Sequence, residues 1–210
     1  MPGRESRDAS ARGAGRLALG AAMLVVLGLA YAGEARGGDA GLLNFFGYFT
    51  NQTSLWAALI LSLTGALMLS RRRVPRWLST ARGVSVACQI VVALVYNLLV
   101  PGTGSAPAWI SALLHAVFPV LVLLDWGFDR GRVAQPWSRI WWVLPYPLIW
   151  LGVVLLRGVT DGWVPYGFLL PERGLPALVT HVAGMLVALL CAAALVWWLS
   201  RPRHRRILPA

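Results

Sequence analysis

The sequence predicts an all-α polytopic membrane protein, a bundle of six transmembrane helices with both termini cytoplasmic. Three observations predict it. The chain is 58% hydrophobic and 13% charged, with a mean hydropathy of +0.65, whereas a soluble domain is about 45–50% apolar and about 25% charged. Such a chain lacks the polar side chains to cover a water-facing surface, and it is too apolar to be disordered. Its apolar residues fall in six continuous blocks of spanning length. Continuous runs, rather than alternation with period two, select helices over a closed barrel, the other structure a bilayer permits. The basic residues, finally, concentrate in alternate links.

Residues 1–15 are small, polar and of mixed charge, and read as a flexible cytoplasmic tail. Residues 16–200 form one membrane domain with helices at about 17–33, 45–69, 80–100, 108–126, 140–156 and 175–199. A span needs roughly 20 apolar residues, with about 17 as the lower limit. The first block has a second reading. An arginine-bearing leader, an apolar core and Ala30-Tyr31-Ala32 match a signal peptide with a small-residue cleavage site; cleavage would leave a chain starting at Gly33 with the other helices oriented as before. Pro101, Pro107, Pro136, Pro171 and Pro202 lie in or beside the links, where they break no helix. Pro119, Pro145 and Pro147 lie inside blocks four and five and predict kinks. Gly65, Gly152 and Gly184 are expected to admit close helix approach. Residues 201–210 are a basic cytoplasmic tail.

All nineteen basic residues are arginine, and the net charge is +11. With the N-terminus inside, sixteen of them lie in the N-terminal tail, the links after helices two and four, and the C-terminal tail. Arg36, Arg157 and Arg173 are left outside. This asymmetry is the positive-inside signal of a plasma-membrane protein whose arginine-rich face is cytoplasmic. Nucleic acid is not an expected partner, because the basic residues flank helices without forming a separate domain. Most tryptophans fall near block ends, as an aromatic belt does, whereas Trp56 and Trp150 lie deeper and read as packing residues. Cys88 and Cys191 form no disulfide framework. With no Cys/His cluster and no nucleotide motif, the sequence implies neither a metal nor a cofactor.

Polar residues inside a bilayer are costly and mark function. At about 1.5 Å per residue, Thr50 on helix two lies about 7–8 Å below the outer edge, His115 on helix four about 10 Å, His181 on helix six about 9 Å, and Asn97 on helix three about 5 Å. Asn51 and Gln52 follow Thr50, and Arg157 closes the outer end of helix five. Residues scattered along the chain thus converge on one layer in the outer half. The inner half holds little comparable, Gln89 and the interfacial Asp125. Asp125 is about 15 Å along the axis from His115, too far to orient it, and reads as the partner of a nearby arginine. A threonine hydroxyl becomes a nucleophile when a base takes its proton, and neutral histidine is the natural base. Asn51, Gln52 or Asn97 can donate to a developing oxyanion, and Arg157 or His181 can contact the polar part of a substrate. The same layer is also compatible with a transporter using His115 and His181 as relays, or with polar glue between helices.

Phe45-Phe46-Gly47-Tyr48-Phe49-Thr50-Asn51-Gln52 resembles the threonine-bearing segment of the androgen-induced/androgen-dependent membrane hydrolases. Leu113-Leu114-His115-Ala116-Val117-Phe118-Pro119-Val120-Leu121, followed by Asp125-Trp126, resembles their histidine segment. The chain is also similar to a bacterial six-helix membrane family, through the same Tyr-Phe-Thr-x-Gln opening, Tyr96-Asn97-Leu98-Leu99, Tyr146-Pro147, Arg157-Gly158 and Gly162-Trp163-Val164-Pro165-Tyr166. The resemblance implies a multi-pass threonine hydrolase of fatty-acid esters, with Thr50 as nucleophile, His115 as base, and membrane lipids and a lipid ester as partners.

Overall fold

The computed structural model describes residues 2–38, 41–102, 106–129 and 131–201, with the backbone alone over 2–6. The described residues are helical, without strands, and six helices are long and apolar enough to cross a membrane. These six long apolar helices are α1 (Pro2–Arg36), α3 (Phe49–Leu69), α4 (Arg76–Leu99), α5 (Ala108–Phe128), α6 (Trp137–Thr160) and α7 (Leu175–Leu199). The short α2 (Leu42–Phe45) leads into α3.

Residues 2–15, expected to be a flexible tail, instead continue α1. They are held because α1 packs along α3 through small residues. A Cβ built on Gly65 would lie 2.5 Å from the Gly13 carbonyl and 2.7 Å from the Leu17 nitrogen, so only glycine admits this backbone approach. The same expectation fails for Gly152 and Gly184, beside which nothing lies within 4 Å. Gly65→Ala is therefore expected to loosen the α1–α3 pair by about 1–3 kcal/mol, as overpacking does. Gly152→Ala should be neutral or stabilising, since it removes only backbone freedom. Thermal unfolding of both variants in detergent checks the contrast.

At the arginine-rich end the helices are tied by polar contacts. Arg16 of α1 meets Asp125 at 2.9 Å and Asp129 at 2.6 Å; Arg82 of α4 meets Asp125 at 2.7 Å and Asp129 at 3.0 Å. Arg132 donates to the Trp126, Gly127 and Asp129 carbonyls and caps the end of α5. Gln135 donates to Ser79, and its backbone N–H donates to Ser200, joining the link before α6 to α4 and α7. Arg130 and the basic tail from residue 202 lie outside the described residues.

Two tryptophans depart from the belt expected of them. Trp126 and Trp197 are fully buried, because their indole N–H groups reach the Val196 and Pro136 carbonyls and nothing polar is left to hold them at an interface. Trp150 packs inside as expected and donates to the Gly47 carbonyl, but Trp56 is 53% exposed and faces outward. Cys88 is buried, Cys191 is exposed, and both are free thiols.

Candidate functional site

The polar layer surrounds a cavity of about 210 Å³. Thr50 and Asn51 from α3, Tyr96 from α4, His115 from α5 and Tyr166 from the link after α6 all line it. Valine, leucine and methionine side chains of α4 and α7 supply part of the remaining wall, and α6 adds Leu148, Trp150 and Leu151.

Local sequence explains how His115 is presented. Pro119 has no N–H to return to the residue four before it, and its ring crowds that carbonyl; the residue is His115. The helix answers with a π-turn over Leu113–Val117, a widening typical of such a lesion. The freed His115 carbonyl accepts from Asn97 Nδ2 at 3.1 Å, while the same nitrogen donates to the Ala93 carbonyl at 2.8 Å. Asn97 thus spends its donors on the backbone of α4 and α5.

The imidazole is fixed on two sides. Its ring stacks on Tyr96 at a centroid distance of 3.6 Å, nearly parallel. Nδ1 lies 2.9 Å from the Ser111 carbonyl. A carbonyl only accepts, so in the neutral ring Nδ1 carries the proton and Nε2 keeps the lone pair. The Ser111 hydroxyl, which donates to Tyr96 Oη at 2.6 Å, sits 3.3 Å from the same ring nitrogen.

Thr50 is buried near the start of α3, and its hydroxyl shares a hydrogen bond with Tyr166. Burial pushes the Tyr166 phenol up, partly opposed by its bonds to Thr50, so at neutral pH it remains an O–H donor. Asn51 Nδ2 donates to the Phe45 carbonyl at 2.8 Å. An amide nitrogen has two hydrogens, so one remains for the cavity that Asn51 lines.

The other predicted residues lie around this cavity without lining it. Gln52 Nε2 donates to the Phe46 carbonyl, and its Oε1 accepts from Tyr146 at 3.2 Å; with Asn51 it holds the turn before α3. Arg157 spans Asp161 at 2.8 Å and Asn44 Oδ1 at 3.0 Å, and lies over the Trp163 ring at 4.2 Å. Its guanidinium therefore pins the link after α6 onto α2. Asp161 is held below the usual carboxyl range, first by the Trp163 N–H and then by Arg157. His181 Nδ1 lies 2.7 Å from the Ala177 carbonyl, and its ring stacks on Phe168, a wall residue of the cavity.

Depth along the chain missed Glu34, Ser111, Tyr96 and Tyr166, all of which line the cavity. Tyr96 and Tyr166 stand in the segments that carry the family resemblance, and that signal could have found them. Glu34 sits one residue past the predicted end of helix one. Deeper in the bundle, Gln89 is fully buried and donates to Ser54 Oγ at 3.3 Å. No family model, no curated protein and no solved structure matches the chain.

Proposed function

We propose that this chain is an intramembrane hydrolase of amphiphilic carboxylic esters, with Thr50 as nucleophile and His115 as base, as the resemblance to the androgen-dependent hydrolases implies. The observation that carries the reading is that Thr50 and His115 line one largely apolar cavity, with the imidazole oriented through Nδ1 so that Nε2 is the basic nitrogen. In the first half-reaction Thr50 Oγ1 attacks the ester carbonyl carbon while its proton passes to His115 Nε2. The remaining Asn51 N–H and the Tyr166 hydroxyl are the donors for the oxyanion. Collapse breaks the acyl–oxygen bond, and the departing alkoxide takes the proton from His115. Water then attacks the acyl-threonine, His115 accepts its proton, and the fatty acid leaves as that proton returns to Thr50.

An acyl-mimicking electrophilic probe tests the assignment. Labelling of the full chain in detergent, mapped by mass spectrometry to the peptide containing Thr50 and absent from Thr50→Ala, is the expected result. Labelling elsewhere, or undiminished labelling of Thr50→Ala, overturns it. Absence of labelling together with pH-dependent solute flux in proteoliposomes favours the transporter.

We also read the arginine-rich end as cytoplasmic, in the plasma membrane, from the charge asymmetry. In intact cells an impermeant thiol reagent should label Gly162→Cys and spare Arg72→Cys, each built on a chain with Cys191→Ser; the reverse pattern inverts the topology.

A further inference from the structure

A second concavity lies on the outside of the bundle, in a groove of about 550 Å³ between α3, α4 and α6. Ala81, Val84 and Cys88 of α4 form its floor, and Trp56, Trp77 and Trp142 stand along its edges. All three tryptophans are exposed. Arg76 and Arg139 both line its mouth, at the arginine-rich end. Both are exposed, and among the described residues no carboxylate pairs with either. Asp125 and Asp129 at the same end are already engaged by Arg12, Arg16 and Arg82, so these two cations are left to a ligand.

We propose that this groove is a binding site for one anionic phospholipid of the leaflet on the arginine-rich side, its phosphate held by Arg76 and Arg139 and an acyl chain lying along α4. Charge complementarity selects the head: two guanidiniums at one mouth form charge-assisted bonds with a phosphodiester, and basic pockets between spanning helices hold such heads. Length selects the tail. Arg76 to Cys88 spans about 18 Å at 1.5 Å per residue, comparable with the roughly 15 Å of hydrocarbon in one leaflet of a ~30 Å core. Tryptophan rings at the rim supply surfaces that are apolar on their faces and polar at the indole N–H. Tyr146 and Thr53, whose hydroxyls lie 3.3 Å apart, also line the groove. The site is separate from the Thr50–His115 cavity and does not depend on the hydrolase reading.

Native mass spectrometry of the full chain in mild detergent, with phosphatidylglycerol and phosphatidylcholine of identical acyl chains at equal concentration, tests this. Phosphatidylglycerol adducts should dominate. Arg76→Gln/Arg139→Gln should reduce them at least about fivefold, to the phosphatidylcholine level, a difference of about 1 kcal/mol. Arg71→Gln/Arg73→Gln removes the same charge from the same end outside the groove and should leave retention unchanged. Val84→Trp, which fills the floor with both arginines intact, should reduce retention as well. Equal retention of the two lipids overturns the proposal. So does an undiminished adduct in Arg76→Gln/Arg139→Gln, an equal loss in the control pair, or full retention in Val84→Trp. Unchanged melting temperatures certify that each variant is folded.

Discussion

Asp129→Asn is expected to lower the stability of the bundle by about 3–5 kcal/mol, because it leaves two buried guanidiniums facing one carboxylate. Arg16, Arg82 and Asp129 are 3%, 4% and 4% exposed, and each arginine touches both aspartates. With the Asp129 carboxylate removed, the desolvation of both arginines remains while half of its compensation is lost. At about 2–4 °C per kcal/mol for a chain of this size, the melting temperature should fall by about 6–20 °C. Replacing all four residues by Leu and Met should be close to neutral, since a fully apolar set has no charge to desolvate. A large loss in that quadruple variant would show that the cluster has a role beyond holding α1, α4 and α5 together.

The same cluster predicts a pH dependence. Burial alone would raise the Asp129 carboxyl, but the Arg16 and Arg82 guanidiniums outweigh it and hold the group below the usual range, helped by the Gly131 N–H. A carboxyl depressed on folding contributes stability that is fully present above its unfolded pKa and lost as pH falls through its folded one. Unfolding measured from neutral pH down through the carboxyl range should therefore show stability falling with acid. That dependence should be weaker in Asp129→Asn. A variant as acid-sensitive as the parent would remove Asp129 as the titrating group.

Thr50→Ala should abolish ester hydrolysis, and His115→Ala should slow it by about 10²–10⁴-fold, the usual contribution of a positioned base. In the proposed mechanism the two groups act in one proton transfer, so the double variant should be no slower than Thr50→Ala alone. Turnover of a fluorogenic long-chain acyl ester in mixed micelles gives all three rates. Asn97→Leu should lower the rate less, since it only releases the His115 carbonyl and lets the π-turn relax, with kcat affected more than KM. Hydrolysis that persists in Thr50→Ala would exclude the threonine mechanism.

How much of this was legible beforehand depended on which interactions lie along the chain. Leu175–Leu199 was readable to the residue because a continuous apolar run specifies a spanning helix by itself. Residues 2–15 read as a tail from the chain alone because their helix is held by Gly13 against Gly65, a contact across more than fifty residues. Depth along a helix is also local, so the layer holding Thr50 and His115 could be computed from spacing. Azimuth is not, which is why spacing places Gln52, Asn97 and Arg157 in the same layer although their polar atoms are spent on Phe46, His115 and Asn44. Pro119 lies between these cases. Its missing N–H announces an orphaned His115 carbonyl, but that Asn97 would satisfy it depends on how α4 packs against α5.

The sequence alone determined the helical class, the number of helices long and apolar enough to span a membrane and the segregation of arginine to the links between them, because these follow from the composition of each segment and need no partner. Tertiary structure decided which polar residues share a cavity and which arginines find a carboxylate. Burying a charge or a hydrogen-bonding group is tolerated only where another element brings its complement, so Arg16 and Arg82 became buried struts, and Arg76 and Arg139 stayed open at the mouth of a groove.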